Sequence, residues 1–371
     1  MNDQKMLELT DLFCGAGLAS SPALTHPEEF RLAFALDRDL ESVSCIQKSH
    51  PSARVRCRSL PGAASLIPLP NAATHLHASP SCVGISSARR DANPEAKHDS
   101  LLLLAWAIEY ALEFAPPTFS IEDVSAEEAQ GLCAHYKRLH PENFDFAILD
   151  ASAFGAPQRR IRLIAGCVDI IAALKEQAAA PRRKTVAAAF AEASMPLPAS
   201  HIRAVTGTAN PKCLRACASE PAFTVVASRA PIWCDADGTA VRGATVDEVR
   251  VLMEAPTSLI LPAKKADAMR SLGNGVCGGL ALAILRAAAS APCRETWTPP
   301  PVHPDSVEAR CAAVEARARA AVVHATRKRM ERSKVAKLVA ERGLGFSKRQ
   351  KAEAVERLVA ELGVELRDGR E

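Results

Sequence analysis

Apolar residues along this chain fall into strand-length runs separated by helix-length ones. LELTDLF (7–13), FRLAFALD (30–37), AATHLHASPSC (72–82), TFSIEDV (118–124), FDFAILD (144–150) and IRLIAGCV (161–168) each read as a strand, several of them opening into a turn or loop. Between them, a helix is predicted from Leu40 to about Ser49, stopped by Pro51. A second is predicted over HDSLLLLAWAIEYALEF, with Asp99 and Ser100 as candidate caps and Pro116 as the stop. Strands alternating with helices predict an α/β chain with a mostly parallel, doubly wound sheet.

The pattern weakens from about 168 to 219, where Ala, Pro and Arg dominate. Strand character resumes in EPAFTVVA, ATVDEVRVLMEAP reads as a helix start, and GNGVCGGLALAILRAAA as a glycine-led helix packing on the core. ETWTPPPVHPD is a proline-rich linker. The expected organisation is a catalytic and cofactor-binding unit at 1–167 and a small recognition region with returning scaffold at 168–240. Segment 241–295 rejoins the first unit, 296–306 is a linker, and 307–371 is a basic helical extension.

Composition narrows the class only a little. At 48% hydrophobic and 24% charged residues, the chain is ordinary for a globular protein. The N-terminus lacks the basic start and apolar stretch of a secretory signal, and the run Leu101 to Ile108 is too short to span a bilayer. The expectation is therefore a cytoplasmic, monomeric protein without a membrane partner. Twelve scattered cysteines form no CxxC pair and no zinc-type spacing, so no metal site is expected. Net charge is only +4, yet between Arg327 and Lys351 ten cations face two glutamates. That segment is either a solvated helical face or a phosphate-contacting patch.

Candidate chemistry comes from five short motifs in a fixed order: DLFCGAG after the first strand, PSCVGIS at 80–86, IEDV at 121–124, FGAPQRRIR at 154–162 and RSLGNGV at 270–276. Together, across roughly 7–290, they resemble the ordered motifs of the cytosine-C5 DNA methyltransferase family. The resemblance implies a Rossmann-like fold that binds S-adenosylmethionine, with double-stranded DNA as partner and the target base flipped into the cofactor cleft. It makes Cys82 the nucleophile at cytosine C6, since the thiolate is the reactive form and a covalent adduct turns C5 into an enamine-like carbon. Glu122 would serve the N3 edge as general acid. Arg160 and Arg162 alternate and so share a strand face. Arg162 would contact the base carbonyl, and Arg160 would organise the loop or a phosphate. Phe13, Gly15 and Gly17 match the cofactor turn, Asp37 the ribose-binding acid, and Asn274 and Val276 the late motif. Ser86, Arg89, Arg90, Lys334, Lys348 and Arg349 are the candidate nucleic-acid contacts.

The chain departs from the family at several of these places. Ser81 and Val83 flank the cysteine in place of proline and glutamine, Asp123 replaces an asparagine, Leu18 a glycine, and Asp247–Glu248 an Arg–Glu pair. Asp123 bears on the support of the cysteine loop, because a carboxylate cannot donate as an amide does. Arg56 and Arg58 stand where the family holds the adenine with an acid. That leaves open a carboxylated S-adenosylmethionine as donor. The short 168–240 region can supply few base contacts, so a short or degenerate target is expected. KVAKLVAERGLGFSKRQKAEAVERLVAELG (334–363) resembles a SAP-type helix–turn–helix module, with a plain helical hairpin as the alternative. RNA cytosine as substrate, or a catalytically inactive nucleic-acid-binding relative, also remains open, as does a restriction-modification or phage setting.

Overall fold

The computed structural model describes residues 6–86, 93–204, 215–292, 296, 298 and 307–341, with side chains through Thr326. Its centre is a seven-stranded sheet built from β1 (Leu7–Leu12), β2 (Phe30–Asp37), β3 (Arg54–Cys57), β4 (Thr74–Ala78), β5 (Thr118–Val124), β6 (Asp145–Asp150) and β7 (Ile161–Gly166). The order is β3-β2-β1-β4-β5-β7-β6. All neighbours run parallel except β7, which is antiparallel to both β5 and β6. The expected doubly wound α/β fold is thus observed. Strand order reverses between β1 and β4, which opens a crevice at their carboxyl ends.

Helices cover both faces. On one lie α3 (Pro94–Phe114) and α4 (Glu127–Leu139), in one core cluster with Leu76, Phe119 and Ile121. The other core cluster gathers Leu7, Leu9 and Ile164 with α2 (Leu40–Ser49), α5 (Val168–Ala179) and α9 (Gly278–Ser290). Between α5 and α9 come α6 (Val186–Glu192), α7 (Val246–Leu252) and α8 (Lys265–Asn274), while α1 (Pro22–Thr25) is a single turn after β1.

Helix α3 starts earlier than expected. Its cap is Asn93, whose side chain accepts the Ala96 N–H at 2.7 Å, with Pro94 in the first turn. An asparagine cap followed by proline is a stronger start than Asp99–Ser100, which fall inside the helix. Ser100 is thereby freed for another partner.

The region where periodicity fades holds a second, four-stranded sheet: β8 (His201–Arg203), β9 (Arg215–Cys217), β10 (Ile232–Cys234) and β11 (Ala240–Gly243), in the order β11-β10-β8-β9. Three- and four-residue strands are too short to show a period of two. One tie to the main body is buried Glu248 of α7, which pairs with Arg242 and accepts the Trp233 indole N–H at 3.0 Å. Its own N–H completes a capping box with Thr245.

The extension begins as one long helix, α10 (Val307–Glu341). Its first half lies on α3 and α4, burying Val314, Ala318 and Val322. Arg310 and Arg317 grip Glu113 and Glu109 of α3 at 2.7 and 2.6 Å. Arg310 also stacks over Phe114, its guanidinium 4.7 Å from the ring centre. The segment resembling a SAP module lies largely outside the described residues. Among those described, no single helix is long and apolar enough to cross a membrane.

Candidate active site

Ligands of open α/β sheets bind where the strand order reverses. Strand β1 runs straight into Phe13, which takes a positive φ of 56° and packs edge-on against Trp106 at 6.0 Å. Gly15 and Gly17 follow with φ of 51° and 89°, a left-handed turn that glycine enters without strain. Asp37, at the end of β2, fixes this turn: its Oδ2 accepts the Gly15 N–H at 2.8 Å, and its Oδ1 the Asp39 N–H at 2.9 Å.

The Cys82 loop leaves the end of β4. Ser79 N–H donates to the Leu12 carbonyl, and the Cys82 carbonyl accepts N–H groups from Ile85 and Ser86 at 3.0 and 2.9 Å. Gly84 presses against the first turn of α3. Its N–H donates to Ser100 Oγ at 2.9 Å, and a Cβ there would sit 1.8 Å from the Ala96 carbonyl oxygen. Any larger residue would push the loop off the helix. Gly84 and Ser100 are thus positioning residues that the motif alone did not single out; a glycine two residues after a candidate nucleophile was the available signal.

Glu122 and Arg162 face each other across β5 and β7, whose register sets Val124 opposite Arg162. Arg162 Nε lies 2.8 Å from Glu122 Oε1, and both side chains are largely buried. The Cys82 thiol shares their field. Burial pushes it up to about 12, with Asp123 and Glu122 adding to the shift and Arg162 and Arg160 opposing it. At neutral pH the resting group is therefore the thiol.

The sign of that field is testable. Glu122→Gln removes a negative charge beside the sulfur and leaves Arg162 uncompensated. Both changes lower the thiol's pKa. Alkylation of Cys82 by iodoacetamide at pH 8 is expected to run about threefold faster in the variant. An unchanged or slower rate would show that the two groups do not share a field.

Asp123 is buried next to this pair. Its Oδ1 accepts its neighbour Val124's N–H at 2.6 Å, while Oδ2 has no partner among the described residues. Burial, then the Glu122 charge, hold its carboxyl well above the usual range. That shift favours the protonated form, which carries an O–H donor as an amide carries N–H donors.

Arg160 is buried and directed elsewhere. Its Nη1 donates to the Val225 carbonyl at 2.9 Å and its Nη2 to Gly273 and Gly275 at 2.9 and 2.8 Å. It positions the glycine-rich segment between α8 and α9. Gln158 works beside it, donating to the Leu252 carbonyl at 2.7 Å and accepting the Val225 N–H at 3.0 Å. In that segment Asn274 is exposed, while Val276 is buried in the core and Leu18 packs against Gly275.

Ser86 stays half-buried at the end of the cysteine loop. Arg89, Arg90, Lys348 and Arg349 lie outside the described residues, and Lys334 sits on α10 beyond the described side chains. Arg56 and Arg58 bond the neighbouring carbonyls of Val55 and Cys57 at 3.2 and 2.8 Å. No group of three or more His, Cys, Asp or Glu side chains among the described residues is placed to hold a metal ion.

The turn and acid suit a nucleoside cofactor. The left-handed glycines bring bare backbone to the crevice, and Asp37, fixed at its rim, offers carboxylate lone pairs for ribose hydroxyls.

No protein-family profile and no curated protein matches the sequence. Several solved structures are similar in fold. A protein described as a DNA modification methyltransferase encoded within an E. coli prophage aligns at TM-score 0.48 and 16% identity, covering 76% of this chain and 98% of that one. The Dnmt2 methyltransferase of S. pombe aligns at 0.46 and 14%, covering 76% and 98%. The Entamoeba histolytica methyltransferase EhMeth aligns at 0.47 and 14%, with the same coverage.

Proposed function

We propose that this chain transfers a methyl group from S-adenosylmethionine to C5 of cytosine in double-stranded DNA, through a Cys82 adduct at C6 of a flipped base. The supporting observation is the gathering of Cys82, Glu122 and Arg162 toward the carboxyl ends of β4 and β5, beside the strand-order reversal.

The chemistry follows from what each group can do. Cys82 passes its proton to the Glu122 carboxylate and its sulfur bonds to C6, pushing electrons toward C5. Glu122 holds a proton at N3, which makes C6 more electrophilic. Of the five donors on Arg162, Nε serves Glu122 and Nη1 the Ile161 carbonyl at 2.7 Å. The remaining donors serve the cytosine carbonyl. Phe13, Gly15, Gly17 and Asp37 would hold the cofactor, with Asn274 and Val276 at the late motif; it supplies an electrophilic methyl group. Flipping the base costs a few kcal/mol, which these pocket contacts offset. The basic run from Arg327 supplies salt-sensitive affinity for phosphates.

The test is a trap. A duplex with 5-fluorocytosine in varied contexts, incubated with the full chain and saturating S-adenosylmethionine, is expected to give a denaturation-stable adduct at Cys82. Absence of an adduct overturns the proposal. A matched RNA trapped in place of the duplex overturns the DNA assignment. The mass of the modified nucleoside from an ordinary duplex distinguishes a methyl from a carboxymethyl product.

A further inference from the structure

The middle of the sheet contains groups that packing does not call for. Central strands covered on both faces are usually filled by Val, Ile and Leu. Here β4 carries His75 and His77, and β5 carries Thr118 and Ser120, all buried on the same face. They form a continuous hydrogen-bonded chain. Thr118 Oγ1 meets His75 Nδ1 at 2.9 Å, and His75 Nε2 meets Ser120 Oγ at 2.9 Å. Ser120 Oγ meets His77 Nδ1 at 2.9 Å, and His77 Nε2 meets Ser79 Oγ at 3.0 Å. Ser79 is half-buried at the crevice, three residues before Cys82.

A neutral imidazole has one donor and one acceptor nitrogen, so protonation at one end changes the role of the other. When Ser79 donates to His77 Nε2, His77 Nδ1–H donates to Ser120. A proton arriving at Ser79 Oγ can then be matched by the hydroxyl proton passing to His77. Asp11 stands opposite His77 in the β1–β4 register, also buried. Its carboxyl oxygens make no hydrogen bond of good geometry among the described residues, although the Ser20 hydroxyl, which donates to the Gly17 carbonyl at 3.3 Å, lies close enough to temper the effect of burial on it. Asp37 and Cys14 are near enough to share Asp11's electrostatic field.

We infer that Ser79 and His77 carry the proton to and from cytosine C5, with Asp11 as counter-charge to the transient imidazolium. The inference rests on the Cys82 chemistry proposed above. In the forward reaction the C5–H bond breaks and its proton goes to Ser79 Oγ, whose own proton passes to His77 Nε2. The electron pair forms the C5=C6 double bond, and the C6–S pair returns to Cys82. Burial holds His77 down at about 4, so it returns the proton to the crevice readily at neutral pH. Burial also raises Asp11 to about 7, within reach of both charge states there.

The same relay acts without any methyl donor. Once sulfur has bonded to C6, C5 takes a proton from Ser79; reversal then removes either hydrogen, exchanging the C5 hydrogen with solvent. The experiment measures tritium release from a duplex containing [5-³H]cytosine, without S-adenosylmethionine, for the wild type, Ser79→Ala and His77→Gln. Trapping by the 5-fluorocytosine duplex with donor is measured in parallel, since that adduct has no C5 proton to lose. Exchange is expected to fall about 100-fold in both variants, with trapping within about twofold of wild type. Wild-type exchange in Ser79→Ala overturns the relay, as does an equal loss of exchange and trapping, which would mark a structural role. Ser79 is half-buried, so this variant answers even if the fully buried histidine does not tolerate change. No trapping in the wild type would instead sink the Cys82 chemistry, and the relay with it.

Discussion

Cys82→Ala is expected to lower methyl transfer to a cytosine duplex by at least about 10⁴-fold, and to abolish the covalent trap entirely. The reason is chemical and local. In the proposed reaction, without sulfur no bond forms at C6, and C5 never gains the electron density needed to accept a methyl group. Nothing else in the neighbourhood can substitute: Ser81 lacks a thiolate's nucleophilicity, and Glu122 is engaged with Arg162. Folding should be little affected, because the side chain is half-buried and the loop is fixed by its backbone and by Gly84 against α3. The measurements are single-turnover methylation and the thermal midpoint of the same preparation. Residual transfer within tenfold of wild type would remove Cys82 from the mechanism. Glu122→Gln, by contrast, should keep a weakened trap while turnover falls about 100-fold or more.

Arg160→Met should have the largest effect on stability, about 3–5 kcal/mol. Burial, then Arg162, depress the guanidinium's pKa to about 10, so it remains charged at neutral pH. It donates to three buried-segment carbonyls contributed by Val225, Gly273 and Gly275. Methionine fills much of the volume but leaves those acceptors unsatisfied. Lysine retains the charge without the planar fork and should recover only part of the loss. Urea unfolding of the three proteins is the measurement; a loss below about 1 kcal/mol would show that the bonds are replaceable. Because the anchored segment lies next to Asn274 and Val276, cofactor affinity should fall with stability.

Much of the fold was legible because central strands of a parallel sheet have a strong signature. FRLAFALD is short, apolar and followed by a helix, and β2 lies where the sequence sets it, between β3 and β1. The second sheet was not legible, since three-residue strands such as His201–Arg203 carry no readable period. The start of α3 differs from the sequence expectation because Ser100 looks like a cap; its hydroxyl instead accepts from Gly84, a partner remote in sequence. In the site, residue identity pointed to Cys82, Glu122 and Arg162, but contacts alone distinguish Arg162 from Arg160. The two share one motif, yet one faces Glu122 and the other grips backbone 65 to 115 residues away. His75 and His77 were readable as letters and not as a network, because the link between them runs through Ser120 on another strand.

The grip of α10 on α3 has a consequence in the order of synthesis. Arg310 and Arg317 meet Glu113 and Glu109 across 197 and 208 residues of chain. The apolar patch that receives Val314, Ala318 and Val322 is complete in sequence long before those residues leave the ribosome. A nascent chain therefore has time to build the sheet while one flank of α3 and α4 waits uncovered. That flank is where a chaperone would find purchase during translation. Docking of α10 closes it, so the packing around α3 and α4 is completed only after the first half of α10 has emerged.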